Sequence, residues 1–582
     1  MTVPAGEQAR LEEILDTAGV GALIEPRLPV GVRPRQLSVR TLMLGMLLAA
    51  RDGRPGHLTR VHQALLGLSE PEQRRLGVLA ATKHGGEHRL TGRQTEYTFM
   101  RLTQALSRPI PDGTPSQLLC EVTDRLLEAS IQILGPPASN SYAVDWTDLE
   151  SWARPPSRDG SRPSADPEAA WGHRTTNHPS KNELFYGYYL QALTTVSDEH
   201  GPAVPELVRR IHLAACDHDP PAQITPVIAR MHHAGIPVGD LLVDSGYSYR
   251  QPDTFALPLR QLGAQLIMDL HPNDRGPHGT HHGAITANGA LYCPATPPSL
   301  LALGPLAPAA TPEQTAAHDQ QCAELHRHKL SPITTRDADG YHRVACPATT
   351  GKLRCPLRPA SMTLSYDHPT IHQPPEHPPV CCTQQTITIP PSVNAKTTQK
   401  HDYPSAQHRH SYARRSAAER SFATSTDRGH TDLSRGHIRL TGLAPNTLIT
   451  ATALTARPQP PHPRRLRRPT GPKPAPRPTR PGTPPTQTPP THHHRPDQRR
   501  RHPALTPRNR RAAPADDQHH PTSPPGTSTP PPRPPHHQPT PPMNRSPTGP
   551  PTANHARTPR ANSIRRKREH ETRSNVKTSK WS

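Results

Sequence analysis

Three acidic residues of this chain stand in settings that suit them for chemistry: Asp145, Asp244 and Glu419. Asp145 follows the apolar run Ser141-Tyr142-Ala143-Val144, and Asp244 follows Leu241-Leu242-Val243. Short apolar runs of this kind predict buried strands. In an open α/β sheet the carboxyl ends of the strands open onto the crevice where ligands bind, so the two aspartates are expected to converge there. A loop-start aspartate that caps the following helix is the competing reading for each. Glu419 belongs to a helix expected over His408 to Thr426, in which Tyr412, Arg415 and Glu419 sit at i, i+3 and i+7. At about 100° per residue these three share an arc of roughly 60°. A stripe that aligns a phenol, a guanidinium and a carboxylate suits a ligand better than a core. An exposed Arg415–Glu419 ion pair is the bland alternative at this spacing.

Taken together, the three acids are what two-metal phosphoryl transfer requires. Two Mg²⁺ ions about 3.5–4 Å apart activate the attacking oxygen and stabilise the leaving one. Hard cations take oxygen ligands, and three carboxylates neutralise much of their charge while leaving positions open for a substrate phosphate. Arg415 and Tyr412 would then hold the phosphodiester, the first through a bidentate fork and the second through a single hydrogen bond.

The elements that must position these residues follow from the hydrophobic pattern. Residues 1–135 read as a helical N-terminal domain: Leu11, Ile14 and Leu15, then Leu42, Leu44, Leu47 and Leu48, then Leu119, Val122, Leu126 and Leu127 recur at helical spacing. Such a unit could bind DNA through Arg33, Arg35, Arg40 and the stretch from Lys83 to Arg93, or it could simply pack with a solvated basic face. Over 136–273 strands alternate with helices, with strands at 141–144, 184–196, 241–243 and 265–268 and a helix at 224–234, which predicts an α/β domain. Residues 274–382, rich in Pro, Gly, His and Thr, read as an insertion of short strands and loops. Residues 383–457 resume the catalytic domain with a strand at 386–389 and the Glu419 helix.

From 458 the composition collapses. The last 125 residues hold 33 of the 78 prolines and only six of the Val, Ile, Leu, Met, Phe, Trp and Tyr residues. So few apolar groups cannot offset the entropy of ordering, and the segment reads as a disordered basic tail. It also carries 25 of the 69 Lys and Arg residues but 5 of the 47 acidic ones, so the body ahead of it is nearly neutral. The net charge of +22 is therefore a property of the tail and says little about the body's partner. An abrupt switch to Pro, Arg, His and Thr is what out-of-frame reading of GC-rich DNA produces. A genuine basic arm that binds DNA nonspecifically is the alternative.

Eight cysteines in a chain this long do not make a disulfide scaffold. Cys346, Cys355, Cys381 and Cys382, with Cys293 further upstream, could hold a structural zinc, although their spacing is not that of the usual zinc knuckle. Buried packing is the competing reading for them. No signal peptide is legible, and the apolar run from Thr41 to Ala50 is about half of what a membrane span needs. The sequence thus points to a cytoplasmic, nucleoid-associated protein with no membrane partner.

One resemblance ties the motifs together. Tyr412-x-x-Arg415-x-x-x-Glu419 resembles the Tyr-Arg-Glu-Lys signature of a large group of bacterial insertion-sequence transposases of the DDE class. Asp145-Trp146-Thr147 looks like that group's first-aspartate motif, and Leu242-Val243-Asp244-Ser245-Gly246-Tyr247 like its second, in the same order. The resemblance spans about residues 140–455. It implies a ribonuclease-H-like catalytic domain and two Mg²⁺ ions held by Asp145, Asp244 and Glu419. It also implies DNA as partner, at transposon ends and at the target, a homo-oligomer on that DNA, and end cleavage followed by strand transfer. The chain departs from the signature at its final lysine, expected to contact DNA near the cut, where it has Thr426. Thr426 and the aberrant tail favour a second reading, a non-catalytic DNA-binding remnant of a mobile element.

Overall fold

The computed structural model describes residues 5–28, 36–82, 85–107, 116–174, 183–427 and 430–457. The tail from 458, together with Arg33, Arg35 and Lys83, lies outside the described residues.

The chain begins with helices α1 (Ala5–Ala18), α2 (Val20–Ile24), α3 (Val39–Arg51), α4 (Leu58–Leu66) and α5 (Glu70–Arg75). A hairpin of β1 (Leu79–Ala81) and β2 (Glu87–Arg89) follows, then α6 (Gly92–Leu106) and α7 (Gln117–Leu134). Local chemistry sets the starts of the longer ones. The Ser38 and Ser116 side chains accept the backbone N–H of the third residue of α3 and α7, and Thr91 with Gln94 forms a reciprocal capping box on α6. Their apolar stripes do not close on themselves. Leu11, Leu47 and Leu126 pack in one cluster with Tyr188, Leu190 and Leu213 of the sheet described next. At about 1.5–3 kcal/mol for each large apolar side chain buried, this shared core ties the N-terminal helices to the sheet.

That sheet comprises β3 (Ser141–Glu150), β4 (Ala170–Arg174), β5 (Glu183–Val196), β6 (Val208–Ala215), β7 (Asp240–Val243) and β8 (Gln265–Met268). Its order is β4-β5-β3-β7-β8, with β6 pairing the same edge of β5 beyond β4. β5 runs antiparallel to β3, whereas β3, β7 and β8 are parallel. Side chains alternate across it. Tyr142, Val144, Leu241, Val243, Leu266 and Met268 face one cluster with α8 (Ile224–His233) and α10 (Ala256–Gln261). Ala143, Leu242 and Ile267 face the opposite way. Between β7 and α10 lies the short helix α9 (Ser245–Ser248).

The expected strands at 241–243 and 265–268 are present, and the α/β alternation holds. β3 corrects the expectation that Asp145 ends its strand. Because β5 is long and pairs with β3 from Ser141↔Val196 to Glu150↔Gly187, β3 continues past Asp145, and only its parallel ladder with β7 stops near there.

The segment from 277 forms two small antiparallel sheets. The first is β9 (Pro277–His281), β10 (Ala284–Ala287) and β11 (Ala290–Tyr292). After α11 (Pro298–Leu301) and α12 (Pro312–His328), the second contains β12 (Ser331–Pro332), β13 (His342–Ala345) and, beyond α13 (Val380–Thr383), β14 (Ile387–Ile389). The strand expected at 386–389 thus pairs within this insertion rather than with the main sheet. Helix α12 was not legible because only His318, Leu325 and His328 of its 17 residues are buried, too few to print a helical stripe.

The chain returns through α14 (Ala406–Tyr412), α15 (Ser416–Thr426) and α16 (Leu443–Ala456). The single helix expected over His408 to Thr426 is interrupted by a 3₁₀ turn at Ala413–Arg415. Ala417 and Ala418, both fully buried, let α15 lie close against Ala143, Leu242, Val196 and Ile267.

Candidate active site

The register of the parallel strands brings the acids together. Ala143 pairs with Leu242, so continuing the ladder by two residues sets Asp145 beside Asp244. Val243 pairs with Met268, so one further residue sets Asp244 beside Asp269. Neighbouring strands are about 4.8 Å apart. Alternation turns all three toward the face that carries α15.

Asp145 and Asp244 each have one oxygen committed to the backbone. Asp145 Oδ1 accepts from the N–H of Trp146 at 2.9 Å, and Asp244 Oδ1 accepts from those of Gly246 and Tyr247 at 2.9 and 3.4 Å. Asp244 is therefore also the N-cap of α9, the competing reading of its position. Both carboxyls are pushed above the ordinary range. Burial is the main cause for each, opposed by the charge of Arg415; Asp244 adds to the rise at Asp145, and Asp269 to that at Asp244.

The two aspartate motifs touch through their non-acidic members. Trp146 meets Tyr247 edge to face with centroids 4.9 Å apart, and the buried Tyr247 hydroxyl accepts from Gln191 at 2.8 Å. Gly246 leaves room for this contact, since a Cβ on it would lie 2.7 Å from Cη2 of Trp146 and one of the two would have to shift.

The helical layer supplies the rest. Arg415 donates from Nη1 to Asp145 Oδ2 at 2.9 Å and from Nη2 to Glu419 Oε1 at 2.8 Å. One guanidinium thus spans the gap between an aspartate and the glutamate. Despite the 3₁₀ turn, Tyr412, Arg415 and Glu419 remain neighbours. The Tyr412 phenol lies near Arg415, Asp269 and Asp244, and its ring stacks on His408 with centroids 5.6 Å apart. Arg414 anchors the turn: it donates to Asp240 at 2.7 Å and to the Ser197 carbonyl at 3.0 Å. Arg420 does the same further along, through a paired contact with Glu206.

Asp269 joins this site beyond the residues that the sequence motifs single out. Tyr403 Oη donates to Asp269 at 2.9 Å, and Arg275 pairs with it at 3.2 Å. The signal was present, since Asp269 follows the run Gln265-Leu266-Ile267-Met268 just as Asp244 follows its own.

Glu419 is the outlying member, with 61% of its side chain exposed and its carboxylate turned to Arg415. Among the described residues no group of three or more His, Cys, Asp or Glu side chains stands close enough to hold a metal ion. That includes the cysteines. All eight are free; Cys346 and Cys355 pack in one apolar cluster and Cys381 and Cys382 in a neighbouring one, and burial together with the nearby thiols pushes Cys293, Cys346 and Cys355 up.

Of the basic residues considered for DNA, Arg40 is engaged with Asp16 and Glu12, whereas Arg89 and Arg93 are exposed. No helix among the described residues is long and apolar enough to cross a membrane. Compared with protein-family models, with curated proteins and with solved structures, the chain matches none.

Proposed function

We propose that this chain is a DDE-class DNA transposase, a metal-dependent enzyme that cleaves at insertion-sequence ends and transfers the strand into target DNA. One observation carries the reading. Asp145 and Asp244 lie two residues beyond the parallel ladder of β3 and β7, close enough for the charge of Asp244 to act on Asp145, and Arg415 bridges from Asp145 to Glu419. A mixed sheet whose parallel half presents acids beneath a helix also supports a ribonuclease-H-like catalytic domain.

The donor set suits Mg²⁺, being all hard carboxylate oxygen. Burial already raises the cost of ionising both aspartates, a cost that a cation would offset. When bound, a pair of Mg²⁺ ions would supply Lewis-acid stabilisation to the attacking and leaving oxygens. Asp145 and Asp244 would hold them, and Glu419 would join once Arg415 releases it. Arg415, freed from its carboxylates, would then turn its fork to a phosphodiester, with the Tyr412 hydroxyl as a second donor. The packing of Tyr247 on Trp146, with Gly246 between them, would hold the two aspartate motifs together meanwhile.

The non-catalytic remnant is the second reading, and Thr426 favours it: its hydroxyl folds back on the Phe422 carbonyl at 2.9 Å and offers DNA no charge. Titration calorimetry of the full chain with MgCl₂ tests the site itself. The enzyme reading expects saturable binding that Asp145→Asn and Asp244→Asn each weaken at least tenfold. Binding that both variants leave unchanged would remove the metal from this site.

A further inference from the structure

Four cysteines from four separate segments of the insertion converge where its two small sheets meet. Cys293 directly follows β11, Cys346 directly follows β13, Cys355 lies in the loop beyond, and Cys382 sits in α13. All four side chains are buried. Packing brings them together. Ala295, two residues after Cys293, packs against the cluster that holds Cys346 and Cys355. Leu357, two residues after Cys355, packs against that cluster and also against the one that holds Cys382. Every pair among the four thiols is close enough for a charge on one to act on the other. Their backbones are anchored from outside the set. The N–H of Cys293 donates to the His328 carbonyl at 2.9 Å, that of Cys355 to Ser361 Oγ at 2.9 Å, and that of Cys381 to the His282 carbonyl at 3.0 Å.

At three of the four, the local chain is shaped to receive an anionic sulfur. Cys293, Cys346 and Cys355 are each followed by proline, which presets the first corner of a turn. The turns close on the cysteine carbonyls, from the N–H groups of Thr296 at 3.0 Å, Thr350 at 3.2 Å and Arg358 at 2.9 Å. Backbone N–H groups inside each turn act on the sulfur: Ala295 on Cys293, Ala348 and Thr349 on Cys346, and Leu357 on Cys355. Backbone N–H groups aimed at one atom favour negative charge on it. Cys382 finds its donor elsewhere. The Cys381 thiol donates to it and lowers it, so Cys381 is the protonated member of that pair. The Arg358 cation favours the thiolate at Cys346, Cys355 and Cys382 as well. Burial opposes all of this, and it pushes Cys293 up to about 12. Four buried thiols, each beside a donor that suits its thiolate, want a cation to share.

We propose that Cys293, Cys346, Cys355 and Cys382 bind one structural Zn²⁺ ion through four thiolates, with Cys381 outside the ligand set. Soft sulfur donors in a closed tetrahedral set select zinc. Zinc sits about 2.3 Å from each sulfur. Among the described residues no three such side chains yet stand close enough to share an ion, so binding must draw these in. A change of χ1 rotamer carries a cysteine sulfur roughly 3 Å, a movement of the right size. The bound ion would tie β11, β13 and α13 together in an insertion whose apolar clusters are small. The proposal does not depend on the chemistry at Asp145 and Asp244.

The test is metal analysis of the full chain purified without chelator, followed by refilling of the stripped chain with Co²⁺. The proposal expects one zinc ion per chain. With Co²⁺ it expects the intense visible bands and sulfur-to-metal charge transfer of a tetrahedral thiolate site. Competition with a chromophoric chelator then ranks the variants. Cys293→Ser, Cys346→Ser, Cys355→Ser and Cys382→Ser should each bind zinc at least roughly tenfold more weakly. Cys381→Ser keeps a hydroxyl donor beside Cys382 and should bind as the parent does. Cys382→His retains four ligands and should hold Co²⁺ with shifted bands. Should a serine variant fail to fold, the parent's own metal content and cobalt spectrum decide. A parent that carries no zinc and gives no such spectrum, or one that carries iron instead, overturns the proposal. So does a loss in Cys381→Ser equal to that in Cys382→Ser.

Discussion

Arg415 reaches 2.9 Å from its Nη1 to Oδ2 of Asp145, joining the helical layer to the central strand of the sheet. The same guanidinium holds Glu419, so one cation stands where the proposed metals would neutralise the acids. Arg415 therefore has two expected tasks, counter-ion to the acids before metal binds and phosphate donor afterwards.

Arg415→Gln separates those tasks. A charged hydrogen bond is worth about 1.5–3 kcal/mol, so DNA cleavage should fall roughly 10- to 150-fold. Mg²⁺ affinity should hold or rise, since the competing cation is gone. Calorimetry beside cleavage rates checks both, and a parallel loss of metal binding would make Arg415 a structural residue only.

Asp244→Asn tests the electrostatic strain of the site. The folded-state pKa of Asp244 is raised, chiefly by burial, so the fold favours its protonated form. Its contribution to stability is fully present below the unfolded value near 3.9 and is lost as pH rises through the folded value. At pH 7 without Mg²⁺ the ionised group is therefore a burden. The amide keeps an oxygen for the α9 cap, and the variant should melt roughly 2 °C higher. Adding Mg²⁺ should raise the melting temperature of the parent but not that of the variant. A variant that melts lower at pH 7, yet gains on Mg²⁺ as the parent does, contradicts the assignment.

Gly246→Ala probes the contact between the two aspartate motifs. The added methyl meets Trp146 at 2.7 Å, and overpacking of this kind costs about 1–3 kcal/mol. Urea unfolding should show that loss. Pairing the change with Trp146→Phe, which trims the opposing ring, should recover part of it; failure to recover would place the strain elsewhere.

Thr426→Lys addresses the missing lysine of the signature. Position 426 is exposed at the end of α15, seven residues from Glu419 and so nearly on the same helical face. A lysine there would reach a phosphate as a flexible point charge. Cleavage should rise roughly 10- to 150-fold if the chain is an enzyme impaired at this one contact. No gain over an inactive parent would favour the DNA-binding remnant.

Much of the site was legible because it is written in local pattern. Leu241-Leu242-Val243-Asp244 shows a buried strand and its terminal acid within four residues. Asp269 carries the same pattern after Gln265-Leu266-Ile267-Met268, but no motif around it sets it apart from a loop-start aspartate. The end of β3 was misplaced because its length is set by pairing with β5, a non-local partner that an apolar run cannot reveal. The 3₁₀ turn at Ala413–Arg415 was hidden for a similar reason: its sequence is helix-compatible, and the break accompanies the tertiary anchor from Arg414 to Asp240. The core shared by the N-terminal helices and the sheet was illegible because periodicity shows that a stripe is buried, not against what.

The central claim is tested most directly by incubating the purified full chain with duplexes that carry the DNA flanking its reading frame. Mg²⁺ is compared with EDTA at one salt concentration, for the parent and for Asp145→Ala, Asp244→Ala and Glu419→Ala. The account predicts Mg²⁺-dependent nicking at a defined position in the parent, slow but measurable, and none in any of the three variants. Cleavage that persists in EDTA or in all three variants, or a parent that binds these ends but never cuts them even as Thr426→Lys, would contradict it.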